Sequence, residues 1–304
     1  MSYTYEPIDR ASYFKNPRLG VVKFGSEVIV DANGSVNYSL LNRKLGEVAG
    51  LYQNDIRIAI VTSGAIPSGV RQGTSARDLT TRQKKVAATR GQPGLMELYE
   101  RILQGYRLHR GQVLVKSKDF EDLEEVSELR ETLYDSFDDN TIPIINANDA
   151  LSKREIEMYD NDTIAAKTAV AIGADFLVIY IAGKRNGGDV EHFYNMDPDH
   201  PDARPIRAVY EITDEIRSFA VEKPGGIITR GGYRSKNEAG EIAMRAGIPL
   251  VVANVKYPVD AILGGEDVGT IYVPQGKKLV IPETDHETAF RLMQQLFVEV
   301  NSRT

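Results

Sequence analysis

Short apolar runs alternate along the chain with longer stretches of helical spacing. The runs at 19–24 (LGVVKF), 56–61 (IRIAIV), 113–115, 141–145, 176–181 (FLVIYI), 249–253 and 269–273 are rich in β-branched residues, the pattern of strands buried in a sheet. Between them, 40–52, 82–107, 120–137, 163–172, 212–220 and 235–246 carry amphipathic or Ala-rich helical patterns. A last stretch, 286–300, places Ala289, Leu292, Leu296 and Phe297 on one stripe. This βαβ rhythm predicts a mostly parallel sheet between helical layers. Gly91-Gln92-Pro93-Gly94 falls inside the 82–107 pattern and predicts a kink or break there. Residues 183–205 are polar and rich in Gly and Pro and read as a surface hairpin between two lobes. Residues 1–17 read as an arm that packs on the surface or on a partner.

The stretch 146–167, NANDALSKREIEMYDNDTIAAK, gathers Asn146, Asn148, Asp149, Asp160, Asn161 and Asp162 between the 141–145 strand and the following helix. Helix capping and turn formation account for one or two such residues. Six of them at the carboxyl end of a strand, where open parallel sheets bind ligands, point to a site. Lys23 sits inside an otherwise apolar strand, which costs free energy unless its ammonium group snorkels to water or faces a ligand. Gly25-Ser26 follows and lets backbone N–H groups approach an anion. After the second strand, Thr62-Ser63-Gly64-Ala65 is either a tight turn or a place of close backbone approach to a ligand. The Gly-rich loop 224–236 brings Arg230, Gly231, Gly232, Tyr233, Arg234 and Lys236 to a helix start, suited to phosphate or to a plain connector. It lacks the P-loop spacing.

Composition narrows the classes. The 304 residues, 42% hydrophobic, can bury a full core. A net charge of −6 without a basic block argues against a nucleic-acid partner, and no apolar run approaches the roughly 18–20 residues of a membrane span. The first fifteen residues lack the apolar centre of a signal peptide, so a cytoplasmic protein is expected. With no cysteine there is no thiol catalysis, and the four histidines show no metal-ligand spacing. Two cationic loops flanking an acidic, amide-rich one suit phosphoryl transfer from a nucleotide. The cations neutralise charge on the moving group, and Asp162 between them could hold both lysines.

VVKFGS at 21–26, IVTSGAIPSG at 60–69, GQPGLMELYE at 91–100, IPIINANDA at 142–150, DNDTIAA at 160–166, GADFL at 173–177, GGYRSK at 231–236 and RAGIPLVVA at 245–253 resemble, in order, the glutamate 5-kinases of the amino acid kinase family. The resemblance covers about 18–275 and implies an α/β/α sandwich. It also implies ATP- and Mg²⁺-dependent phosphorylation of the glutamate γ-carboxylate, the first step of proline biosynthesis. Its lobes would be 18–175 for the amino acid and 176–275 for the nucleotide, with 276–304 a helical tail where many members carry an RNA-modification-type domain. It implies glutamate contacts from Ser63, Gly64, Ala65, Asn146, Asp149, Asp160 and Asn161. Lys23 and Lys236 would bind phosphate, organised by Asp162. Nucleotide contacts would come from Gly25, Ser26, Ile181, Ala182, Arg230, Gly231, Gly232 and Tyr233. Magnesium would be held by nucleotide phosphates rather than by a protein cage, and a homo-oligomer is expected.

The chain departs from the family at three motifs, two of them on the nucleotide side. Ile181-Ala182 replaces a Thr-Asp pair, Thr229-Arg230-Gly231-Gly232-Tyr233 replaces Gly-Thr-Gly-Gly-Met, and Asn146-Ala147-Asn148-Asp149 replaces Asn-Glu-Asn-Asp. Two alternatives follow: a kinase of the same family acting on a related carboxylate, and a non-catalytic amino-acid-binding relative.

Overall fold

The computed structural model describes residues 1–30, 36–71, 74–151, 161–185, 188–219, 232–276, 278 and 281–301. The strands are β1 (Tyr3–Thr4), β2 (Leu19–Phe24), β3 (Arg57–Thr62), β4 (His109–Val115), β5 (Thr141–Ala147), β6 (Phe176–Ile181), β7 (Lys184–Arg185), β8 (Gly188–Asp189), β9 (Phe193–Tyr194), β10 (Pro205–Ile206), β11 (Ala208–Val209), β12 (Leu250–Asn254) and β13 (Thr270–Tyr272). Nine of them form one sheet in the order β1-β11-β13-β12-β6-β2-β3-β5-β4. From β12 to β4 every pairing is parallel. β13 runs antiparallel to β12, and β1 antiparallel to β11. The chain leaves β2 toward β3 on one side and leaves β6 toward β12 on the other. The order therefore reverses between these neighbours, and a crevice opens at their carboxyl ends, where such sheets bind ligands.

The helices are α1 (Ser26–Ile29), α2 (Tyr38–Gln53), α3 (Ala65–Ser68), α4 (Thr81–Gln104), α5 (Leu123–Asp138), α6 (Asn161–Ala171), α7 (Asp214–Ser218), α8 (Gly232–Arg245), α9 (Val259–Leu263) and α10 (His286–Asn301). Side chains alternate across a strand, so each buried strand feeds two cores. Val22, Phe24, Ile58, Ile60, Ile144 and Val178 pack with α2 and α4. Val21, Val61, Ile145, Leu177 and Ile179 pack with α5, α6 and α8. Two helical layers on one mostly parallel sheet make the expected α/β/α sandwich. The same alternation turns Lys23 to the side of Val21, toward the helices that carry Asp162 and Lys236.

Several local expectations change. The break at Gly91–Gly94 does not occur, and α4 runs unbroken through Pro93. The glycines serve a close crossing instead. A Cβ on Gly91 would lie 2.0 Å from the Ala65 carbonyl oxygen, and one on Gly69 would lie 1.9 Å from that of Ala87, so α3 and α4 meet backbone to backbone. The strand expected at 113–115 spans seven residues and forms one edge of the sheet.

The arm is woven into the fold, because β1 adds an edge strand beside β11. Arg10, 1% exposed, donates to the carbonyls of Val268, Arg207 and Gly269 and pairs with Asp267 at 2.9 Å. The 183–205 excursion forms the small pairs β7–β8 and β9–β10, with Phe193, Tyr194 and Ile206 buried rather than at the surface. α10 docks on the body, with Ala289 and Met293 wholly buried. It is tethered through Arg130, which donates to the Pro282 and Glu283 carbonyls and to that of Ala171 at the end of α6.

His192, beside β9, is buried with its Nε2 lacking a hydrogen-bond partner among the described residues. Burial, with Arg207 and Arg10 nearby, lowers its pKa from 6.5 to about 4. The unfolded chain therefore binds more protons than the native one between pH 6.5 and 4, so stability falls as pH falls through that window and levels off below it. A His192→Gln variant, measured by urea unfolding at pH 4.5 and 7, is expected to lose less stability on acidification than the parent. An equal loss would contradict this account.

Candidate active site

At the centre lies Asp162, the second residue of α6, wholly buried. Its Oδ1 is 2.6 Å from Lys23 Nζ and its Oδ2 is 2.9 Å from Lys236 Nζ. The lysine side chains are themselves only 4% and 8% exposed. Ser235 donates a third contact to Oδ2 at 2.8 Å. Burial alone would raise the Asp162 pKa. The two ammonium groups outweigh it and hold the carboxylate below its ordinary range, so the cluster carries one negative and two positive charges at neutral pH. Lys23 arrives on the middle of the sheet, and Lys236 on the first turns of α8, 213 positions later.

An amide chain lies directly beside this cluster. Asn161 Nδ2 donates to Ser63 Oγ at 2.7 Å, to the Thr62 carbonyl at 2.8 Å and to Asn146 Oδ1 at 3.1 Å. Asn146 Nδ2 in turn donates to Gln92 Oε1 at 2.9 Å. The ends of β3 and β5, the start of α6 and the middle of α4 are thereby tied together. Gly64 adopts φ +100°, a left-handed conformation that glycine takes without strain. It ends β3 sharply enough for α3 to begin at Ala65. Asp149, Asn148, Ala65 and Gln92 line a cavity of about 440 Å³.

Gly25, Ser26, Ile181 and Ala182 sit at the carboxyl ends of β2 and β6, on the crevice where the strand order reverses. Tyr233 is engaged within the fold: its hydroxyl donates to the Tyr194 carbonyl at 3.2 Å and accepts from the Tyr194 N–H. Its ring lies 4.3 Å from that of Phe193. Gly232 opens α8. Asp160, Arg230 and Gly231 lie outside the described residues. Ser235 and Gln92 join the site without being among the residues expected there. Both fall within motifs that resemble the family, GGYRSK and GQPGLMELYE, but neither has a chemical signal of its own in the sequence.

The model of the amino acid kinase family matches residues 18–254, and the chain belongs to that family. Within it, the chain is 35% identical to glutamate 5-kinase of Proteus mirabilis over 83% of this chain and 68% of that protein. It is 36% identical to glutamate 5-kinase of Photorhabdus laumondii, over 82% and 67%. Among solved structures it resembles UMP kinase from Bacillus anthracis, with a TM-score of 0.55 at 14% identity over 84% of this chain and 95% of that one. Isopentenyl phosphate kinase from T. acidophilum gives 0.54 at 16% identity, over 83% and 99%. These structural likenesses show the fold.

Removing the Asp162 charge leaves two ammonium groups buried together. Asp162→Asn is expected to cost about 3–5 kcal/mol, the range for breaking a buried ionic cluster. It would be read as a lower urea midpoint at unchanged slope. A midpoint within error of the parent would contradict the electrostatic role.

Proposed function

We propose that this protein transfers the γ-phosphoryl group of ATP to the γ-carboxylate of L-glutamate, giving γ-glutamyl phosphate and ADP. The observation that carries the reading is the convergence of Lys23 and Lys236 on Asp162 beside the Ser63–Asn161–Asn146 amides. The names of its relatives supply the acceptor. A glutamate carboxylate is already ionised at neutral pH and attacks phosphorus without a general base, consistent with a centre built of lysines rather than histidine or cysteine. The bond from the γ-phosphorus to its bridging oxygen breaks as the new one forms. Lys23 and Lys236 then neutralise charge on the transferred group and on the departing diphosphate. Asp162 keeps the two cations at one point and holds them there before substrate arrives.

In this reading the β2–β5 side of the sheet takes the amino acid, with Asp149 receiving its ammonium group and Ser63, Asn146 and Asn161 the remaining polar atoms. The β6–β13 side takes the nucleotide, with Gly25, Ser26 and Ala182 at the crevice. Among the described residues no three His, Asp or Glu side chains gather to hold an ion. Both oxygens of Asp162 are engaged by lysine and serine. In this reading magnesium would enter on the nucleotide phosphates, where it offsets their charge. No described helix is long and apolar enough to cross a membrane, consistent with a soluble enzyme acting in the cytoplasm. A related carboxylate as acceptor is the second reading, kept by the Asn146-Ala147-Asn148-Asp149 run, which differs from the family's Asn-Glu-Asn-Asp beside the amino acid.

Incubation with ATP, Mg²⁺ and glutamate is expected to release ADP and an acyl phosphate trapped by hydroxylamine. Absence of both would reject glutamate as the acceptor, and turnover with an N-acyl derivative instead would select the second reading. Lys236→Ala is expected to lower kcat by about 10²-fold or more, as for loss of one transition-state donor. Asp149→Ala should chiefly raise the glutamate KM with the ATP KM unchanged. Parental kinetics in both variants would contradict the assignment.

A further inference from the structure

The amide chain that begins at the lysine centre ends on Gln92. Gln92, 8% exposed, accepts from Asn146 through Oε1, yet its Nε2 has no hydrogen-bond partner among the described residues. A buried donor left unpaired costs about 1–3 kcal/mol, so such a group calls for an acceptor, and a bound ligand is one that supplies it. The same side chain lines the cavity that holds Asp149, and so does Arg110. The Arg110 Nε also lacks a hydrogen-bond partner among the described residues, its contact with Glu100 being a long 3.7 Å. An orphaned amide N–H and a guanidinium thus share a cavity with a carboxylate.

Resting on the acceptor reading above, the geometry points to a specificity role. We propose that Gln92 Nε2, with Arg110 beside it, recognises the α-carboxylate of the acceptor amino acid. The α-carbon carries its ammonium and carboxylate groups side by side. If Asp149 takes the first, the second must be met by a neighbouring donor in the same cavity, and Gln92 and Arg110 are such donors. The γ-carboxylate at the far end of the side chain is then directed along the Asn146–Asn161 amides toward Lys23 and Lys236. Gln92 is therefore a recognition residue, and its other amide atom fixes the Asn146 end of that path. An acceptor whose α-carboxylate is amidated keeps one carbonyl acceptor but loses the charge that strengthens the bond and that Arg110 would meet, so the site disfavours it.

The test uses Gln92→Glu, which keeps the oxygen that accepts from Asn146 and replaces the N–H donor with a second acceptor. The oxygen that accepts from Asn146 is preserved in that variant, whereas the donor is lost and a negative charge faces the substrate carboxylate; Gln92→Met removes the donor without adding that charge. Glutamate and its α-amide, isoglutamine, are compared with parent and variant by ADP release. The expected result is a rise of about 10-fold or more in glutamate KM, the worth of one hydrogen bond to a charged group. The ATP KM should stay unchanged, and the preference for glutamate over isoglutamine should narrow.

An unaltered glutamate KM and an unaltered preference would overturn the inference. Gln92→Met, similar in volume and uncharged, gives the same expected rise if the first variant does not fold. Calorimetric titration of glutamate reads the same loss without turnover. A parent enzyme that binds glutamate but does not phosphorylate it would sink the acceptor reading alone and leave Gln92 testable by binding.

Discussion

A carboxylate with no access to water is a liability unless cations reach it, and Asp162 is satisfied by two of them. Each partner depends on the others. Lys23 and Lys236 are nearly as buried as the acid, and the loss of any one member leaves uncompensated charge in a medium that solvates it poorly. The arrangement is strong because it is electrostatically closed, yet it keeps an excess of one positive charge. That excess is what a polyphosphate would meet. Under the proposed function, structural necessity and chemical use coincide in the same three side chains.

The rest of the fold brings those side chains together. The period of two along β2 sends Val22 and Phe24 into one core and Lys23 toward the other. α6 and α8 pack against each other on that second face, so their first turns converge above the carboxyl ends of the strands. On the opposite edge, Gly69 and Gly91 let α3 and α4 approach closely enough for Gln92 to reach Asn146. The arm and the C-terminal helix are pinned in the same manner, by buried arginines that satisfy backbone carbonyls: Arg10 on the β11–β13 edge and Arg130 at the end of α6.

Much of this was legible in the chain. Buried strands announce themselves as β-branched runs, and a lysine inside one of them is a chemical signal, as is a dense Asp/Asn loop at a strand end. The reading failed where the reason lay across space. Gly91 and Pro93 look like a helix break when read locally, but α4 continues because its glycines answer a neighbouring helix. The 183–205 segment looks solvent-borne, although Phe193 is buried against Tyr233 and Tyr272. Ser235 and Gln92 carry no signal of their own. Each is an ordinary helix residue whose importance comes from the group it faces, Asp162 in one case and Asn146 in the other.

The central claim is that Lys23, Asp162 and Lys236 act as one unit. The most direct measurement is a double-mutant cycle in kcat, with Asp162→Asn, Lys236→Met and the two combined, each checked for folding. Members of one unit are grossly non-additive, so the double variant is predicted to be no slower than the slower of the two singles. Losses that multiply, as for independent sites, would contradict the account.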